Sequence, residues 1–330
     1  MAQINMALDI GTANIRAATS GDGLFLSESA AVALKNGEGI SFGNAAYALM
    51  ERTPPGVYIG FPMRNARLAD EALLRAWLRR LLKEMRGRAH LLLSCPPDMA
   101  MAEKRVLGAI AMDCGAQSCC FADADVVSAI GANLFNLLPE SFLLCDVGAG
   151  HISATLFGGS GALLRECVPY GAAEANKAIL RAIRENHRFA VGVREAEALL
   201  RDLSGLRSIA ASVRGVDLES GFPREREIEA KHVAQAIEPV ISSAVSLCEN
   251  VLSRCSPVCM EELADNGITV GGGGAQTFGM ESRIAKRTNL PARICQEPEA
   301  ASGKGLIEIL KHPNAYDPYI TPFEDILSKR

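Results

Sequence analysis

Apolar residues recur along this chain at two spacings. Short apolar runs of strand character occur at Ile4 to Leu8, His90 to Ser94, Ser141 to Cys145, Ile152 to Phe157, Leu163 to Val168 and Gly267 to Val270, most of them followed by turn residues. Between Leu68 and Met85 the spacing changes. There Leu68, Leu73, Leu74, Trp77, Leu78, Leu81, Leu82 and Met85 step by threes and fours, as one buried helix face requires, and Trp77 is expected in the core. A second stripe, from Val233 through Ala236, Ile237, Val240, Ile241, Ala244 and Val245 to Leu247 and Cys248, predicts a long helix over about 229–254, kinked or broken at Pro239. Strands alternating with amphipathic helices define a mixed α/β protein.

The pattern repeats once. Laying Asp9 over Asp146, a shift of 137 residues, brings Gly11 onto Gly148, Ile15 onto Ile152, Ala17 onto Ala154, Gly21 onto Gly158 and Leu26 onto Leu163. Each copy reads strand, Asp-apolar-Gly turn, strand, Gly turn, strand, which points to duplication. Two similar α/β halves facing each other create one cleft between them.

The turns carry candidate chemistry. Asp9-Ile10-Gly11-Thr12-Ala13-Asn14 joins two strands, so its backbone N–H groups can form an anion-binding hairpin without a helix N-terminus. Gly11 allows close approach of a phosphate, and Thr12 and Asn14 add side-chain donors. Asp9, an anion, would act through a magnesium ion and its waters. Asp146-Val147-Gly148-Ala149-Gly150-His151 offers the same equipment, so Asp9 and Asp146 are the candidate metal residues. Either turn alone is weak, because tight strand connections use Asp and Gly for conformational reasons. A third turn, Gly271-Gly272-Gly273-Gly274-Ala275, follows the apolar run Ile268-Thr269-Val270. Four glycines are costly to order, and a ligand lying flat on the backbone, such as adenine and its ribose, would account for them better than packing.

Composition narrows the class. The 330 residues are 48% hydrophobic and 22% charged, enough for two domains, with a net charge of -4 and no basic excess pointing to nucleic acid. No apolar run approaches the roughly 20 residues of a membrane span, and the start MAQINMALD lacks the features of a secretory signal, so a cytoplasmic protein is expected. The ten cysteines form no CxxC pair and read as reduced, mostly buried thiols. Cys255 and Cys259 lie four apart, but no second ligand pair follows them to complete a zinc site.

The three turns, in this order, resemble the ATPase core shared by actin, heat-shock chaperones and sugar kinases, and within it the chain is most similar to the MreB family of bacterial rod-shape proteins. The likeness runs to about Leu310. It takes in LDIGTAN, CDVGAGHIS, RTPPGVYIGFPMRNARLAD, HLLLSCPPDMAMAEKRVLGAIAMDCGA, SAIGANL, VGGGGA and LPARICQEPEAASGKGL. The resemblance implies an actin-like fold of two duplicated, ribonuclease H-like domains around a nucleotide cleft. The first domain would comprise 1–142 with about 303–330, and the second 143–302. It implies ATP or ADP with magnesium as cofactor, held by Gly11, Thr12, Ala13, Asn14, Gly148, Ala149, Gly150, His151, Glu197, Leu200, Gly272, Gly273, Gly274 and Ala275. It also implies head-to-tail self-assembly into filaments, and cell-shape or wall-synthesis proteins as partners.

Several positions depart from the family pattern. A gapless overlay from Gly131 puts Ala124 where the family has its water-positioning glutamate. Asp123 and Asp125 flank it as substitute catalytic carboxylates, and slow ATP hydrolysis is expected. Ala149 and His151 replace Gly and Thr, and His151 is read either as a phosphate donor or as an exposed turn residue. Gly171-Ala172-Ala173 lacks the family's acid. Glu197-Ala198-Leu199-Leu200 keeps the glutamate of the adenine-side helix and loses its lysine, with Arg201 next. The segment from Lys83 to Arg88 is too short and polar to be assigned as a membrane loop, leaving membrane association open. The tail from His312, with three prolines and three aromatics, is expected to dock on the body or on a partner. The rival reading is a non-polymerising ATPase or a nucleotide-dependent, chaperone-like scaffold. A sugar kinase would need a catalytic aspartate base and a sugar pocket, which Asp125 alone does not establish.

Overall fold

The computed structural model describes residues 4–85, 88–159, 161–204 and 210–328. Arg86 and Gly87, within the short polar loop considered above, lie outside the described residues. Two large sheets organise the chain. In the first, the strands Met6–Ile10, Asn14–Thr19 and Gly23–Ser29 run antiparallel in sequence, and His90–Cys95, then Ser118–Asp123, pair parallel on the other side of Met6–Ile10. The second repeats the plan. Phe142–Val147, Ile152–Gly158 and Gly161–Val168 form the meander, and Ile268–Gly271 and Ala292–Ile294 add in parallel. The registers are related by the same shift as the sequence: Asp9 faces Arg16 and Ile10 faces Ile15, while Asp146 faces Ser153 and Val147 faces Ile152.

Each sheet has its own core. In the first half, the helix Glu71–Glu84 starts where the Asp70 side chain accepts the Leu73 N–H at 3.1 Å. Its apolar face buries Leu73, Leu74, Leu78 and Trp77 against Met6, Leu8 and Leu91, and the Trp77 Nε1–H donates to Ala30 O at 2.9 Å. The second half packs the long helix Ala230–Leu252 on Leu143, Val147, Ala154 and Leu156. That helix runs through Pro239 without the break that was one of the two expectations there. Pro239 and Gln235, whose carbonyl loses its partner there, are both exposed, on the face where solvent can supply the missing donor.

A third cluster lies between the sheets. Val126 and Val127 of the helix Ala124–Gly131, and Leu306 and Ile309 of the helix Ala301–Lys311, pack with Ala7, Ala18 and Leu92 on one side and Phe142, Leu144 and Phe157 on the other. The tail docks on the body: Ile320–Pro322 pairs antiparallel with Ser118–Asp123, and Phe323 and Ile326 of the following helix enter the first core. Three small sheets complete the halves, one built around Val32–Lys35, one around Ala210–Asp217, and a two-stranded one of Met63–Arg64 with Arg67–Leu68. No helix among the described residues is long and apolar enough to cross a membrane.

Candidate functional site

The two Asp-apolar-Gly turns meet at the junction of the halves. Each is closed by the same bond, Gly11 N–H to Asn14 O and Gly148 N–H to His151 O, both 2.9 Å. Gly150 packs directly on the first turn: a Cβ there would lie 2.2 Å from Thr12 Oγ1 and 2.9 Å from the Ala66 nitrogen. Thr12 Oγ1 accepts the Ala66 N–H at 2.9 Å, which leaves its own proton free to donate. Among the described residues, no backbone hydrogen bond takes up the N–H groups of Thr12, Ala13, Ala149 or Gly150. They border a cleft with about 1030 Å³ of empty space, part of it open to solvent, large enough for a nucleotide.

The cleft brings together Asp9, Gly11, Thr12, Ala13, Asn14, Asp146, Gly148, Ala149, Gly150, His151 and Gly272 to Gly274. Two of the four glycines have a packing cause as well, which the sequence did not suggest. A Cβ on Gly272, whose φ is +77°, would lie 2.4 Å from both Asp146 Oδ1 and Val147 O, and one on Gly274 would lie 2.5 Å from Val147 Cγ1. Packing against the second hairpin therefore demands these glycines, and Gly273 faces open space. Ala275 is fully buried.

Electrostatics distinguish the two aspartates. Asp9 Oδ2 accepts from Arg16 Nη1 at 3.1 Å and from Ser302 Oγ at 2.7 Å. Asp146 has no arginine partner among the described residues. Burial pushes its carboxyl above the ordinary range, and the nearby Asp9 and Asp125 add to the rise against the opposing effects of Ser128 and His151. Ser94 Oγ is buried at the cleft wall without a hydrogen-bond partner.

The flanking carboxylates turn elsewhere. Asp125, 1% exposed, accepts from Thr155 Oγ1 at 2.7 Å, from Arg165 Nε at 2.8 Å and from the Val126 N–H at 2.8 Å. Asp123 pairs with Arg165 Nη1 at 2.8 Å and Lys104 Nζ at 3.2 Å. The two tie the start of the Ala124–Gly131 helix to the second sheet, and neither lines the cleft, whereas Ala124 does. The His151 ring sets its Nε2 3.0 Å from Asp98 Oδ1, so it is neither a free turn residue nor aimed through Nε2 at the cleft.

Glu197 and Leu200 are not among the lining residues. Glu197 lies beside Tyr47, whose hydroxyl is pushed well above its ordinary pKa by burial and then by that carboxylate, and Leu200 packs on the second core. The Arg201 side chain lies outside the described residues. Nearby, Glu51 Oε1 accepts the Val193 N–H at 2.9 Å and Arg194 sits 5.7 Å over the Tyr47 ring, a second link between the halves. Sequence reasoning missed Arg16, Ser94, Ser128, Glu299 and Ser302 in the cleft. The alternation of the second strand, which turns Arg16 to the same face as Asp9, carried a signal only for the first of these.

Comparison with known proteins agrees across the chain. The family model for MreB/Mbl protein matches residues 3–317. The cell shape-determining protein Mbl of Bacillus subtilis is 25% identical over 305 residues, 89% of this chain and 92% of its own. The cell shape-determining protein MreB of Escherichia coli is 23% identical over 319 residues, 91% of each chain. Among solved structures, MreB5 of Spiroplasma citri bound to ADP aligns with a TM-score of 0.87 at 24% identity, covering 95% of this chain and 97% of that one. The MamK double helical filament aligns at 0.78 and 16% identity, covering 92% and 97%. The fold is therefore the actin-like one.

Proposed function

Since the chain belongs to the MreB/Mbl protein family, we propose that it is an actin-like cytoskeletal subunit. In this reading it binds ATP or ADP with magnesium, assembles head to tail with copies of itself, and serves cell-shape determination. The observation that carries the reading is the pair of equivalent hairpins pressed together at Gly150 and Thr12, with free N–H groups bordering one cleft. The relatives named for cell shape, the relative bound to ADP and the filament of MamK support it.

The residues fit the ligand. The Asp146 carboxyl, raised by its surroundings, and the unpartnered Ser94 hydroxyl, on the strand beside Asp9, both line the cleft and are groups that a hydrated cation would satisfy. Magnesium, when bound, neutralises phosphate charge. Asp146 would hold it through water, with Asp9 as the weaker contributor because Arg16 already takes one of its oxygens. The N–H groups of Thr12, Ala13, Ala149 and Gly150 would hold phosphate oxygens from both sides, so one ligand joins both halves and favours their closure. Gly273 would border the adenosine.

Hydrolysis in this reading is slow, because Ala124 offers no carboxylate to orient water and Asp123 and Asp125 are committed to Arg165. The division into 1–142 with 303–330 and 143–302 belongs to the proposal, supported by the return of Ala301–Lys311 to the first sheet. Thermal melting with and without magnesium ATP, and sedimentation of the protein with ATP, test it. A rise in melting temperature and a concentration threshold for pelleting are expected. No shift at millimolar nucleotide overturns the binding, and a monomer at tens of micromolar (~10⁻⁵ M) overturns the filament.

A further inference from the structure

Behind the second hairpin, three metal-ligating side chains converge from separate elements. Asp98 lies in the loop before the helix Met101–Asp113, His151 closes the hairpin, and Cys167 stands on Gly161–Val168, opposite Ser153. One ligand atom from each lies within 4.8 Å of the other two. Asp98 belongs to the first half of the molecule, and His151 and Cys167 belong to the second. We propose that Asp98, His151 and Cys167 form a site for a transition-metal ion of the zinc class that staples the two halves together, distinct from the magnesium expected in the cleft.

The donor set is one carboxylate oxygen, one imidazole nitrogen and one sulfur, the mixture that zinc accepts and magnesium does not. Zinc bonds of about 2.0–2.3 Å put neighbouring ligand atoms about 3.3–3.7 Å apart in a tetrahedron. The pair His151 Nε2 and Asp98 Oδ1, at 3.0 Å, is already near that spacing. The widest separation in the group closes by about an ångström, which an exposed Asp98 can supply by rotating about its side-chain bonds.

Arg67 has the place of an orienting partner. Its Nη2 donates to Asp98 Oδ2 at 2.7 Å, which leaves Oδ1 turned to His151. Its charge also works against a cation, so the affinity expected is moderate. Burial alone would raise Asp98, but His151 and Arg67 outweigh it and hold the carboxyl down to about 2, ionised and ready to ligate. Burial, then the Asp98 charge, pushes the Cys167 thiol up to about 12. Binding therefore replaces the S–H proton with the metal and releases it to solvent, with no change of oxidation state.

The test uses the full chain without nucleotide, in excess magnesium. Cobalt(II) is titrated while its thiolate charge-transfer absorption is followed, and zinc is titrated against a chromophoric chelator. One ion per chain, a thiolate band, and a zinc-dependent rise in melting temperature are expected. Cys167→Ser removes the band, and Asp98→Asn weakens zinc at least about tenfold. A band that persists in Cys167→Ser places the ion elsewhere, such as at Cys255 and Cys259, and overturns the proposal. Absence of any band does the same. Should Cys167→Ser fail to fold, the Asp98→Asn change in an exposed loop decides, and unchanged zinc affinity refutes the site. Magnesium is held in constant excess and gives no thiolate band, and this reading rests on no nucleotide, so failure here is separable from failure of the nucleotide reading.

Discussion

Arg165→Ala isolates a charge buried at the junction of the two halves. The guanidinium places Nε 2.8 Å from Asp125 Oδ2 and Nη1 2.8 Å from Asp123 Oδ2. Asp123 keeps Lys104 and is partly exposed, so its loss is worth at most about 1 kcal/mol. Asp125 is 1% exposed and would retain only Thr155 Oγ1 and the Val126 N–H. Breaking a buried pair by deleting one partner costs about 3–5 kcal/mol, and that is the destabilisation expected at neutral pH.

The pH dependence has a defined sign. Burial holds the Asp125 carboxyl above the ordinary range, and Arg165 is the main influence opposing that rise. Deleting Arg165 raises the carboxyl further. A carboxyl whose folded pKa exceeds its unfolded value stabilises fully below about pH 4, and the contribution is lost as pH rises through the folded pKa. The variant's deficit relative to the parent therefore shrinks as pH is lowered from about 7 to about 5. Urea melts followed by circular dichroism at both pH values measure this, and Arg165→Ala with Asp125→Asn should recover most of the loss. A deficit that does not change with pH, together with a double variant no better than the single, refutes the reasoning.

Three further changes probe the site and the tail. Gly150→Ala forces its Cβ against Thr12 and the Ala66 backbone. An overpacking cost of about 1–3 kcal/mol borne by the closed form should weaken ATP by about 5- to 150-fold in calorimetry, and an unchanged affinity would mean the contact relaxes freely. Ala124→Glu, at a position lining the cleft, should raise phosphate release by about 100-fold or more with nucleotide affinity little changed, and an unchanged rate would place the water elsewhere. Phe323→Ala empties a core position 8% exposed and should cost about 3–5 kcal/mol in a denaturant melt; a cost below about 1 kcal/mol would mean the tail is only loosely docked.

What could be read from the sequence was local. The hairpins announced themselves because an Asp, a turn glycine and flanking alternation all fall within a few residues, and the shift between copies reappears in the strand registers. The Trp77 stripe was legible for the same reason, since a helix face is written at steps of three and four. The partners of Asp125 were not, because Arg165 is 40 residues away and only the sheet brings it back. Gly272 and Gly274 show the opposite error: glycine reports that space is short, without saying whether a ligand or Val147 occupies it. Pro239 does not end the helix, because the cost of its missing donor depends on which face of the helix it occupies. The small sheets around Val32–Lys35 and Ala210–Asp217 were not foreseen, their mixed burial patterns giving little period to read.

The docking of the tail has a consequence for biosynthesis. Ser118–Asp123 gains its outer neighbour only when Ile320–Pro322 arrives, almost two hundred residues later in the chain. At roughly 5–20 residues per second, the ribosome leaves that edge bare for roughly 10–40 seconds, while the entire second sheet is being made. An unpaired strand edge is a template for the wrong partner. The nascent chain is thus most exposed to misassembly in its first half, and Ile320–Pro322 with the helix after it acts as the clasp that ends the vulnerable period.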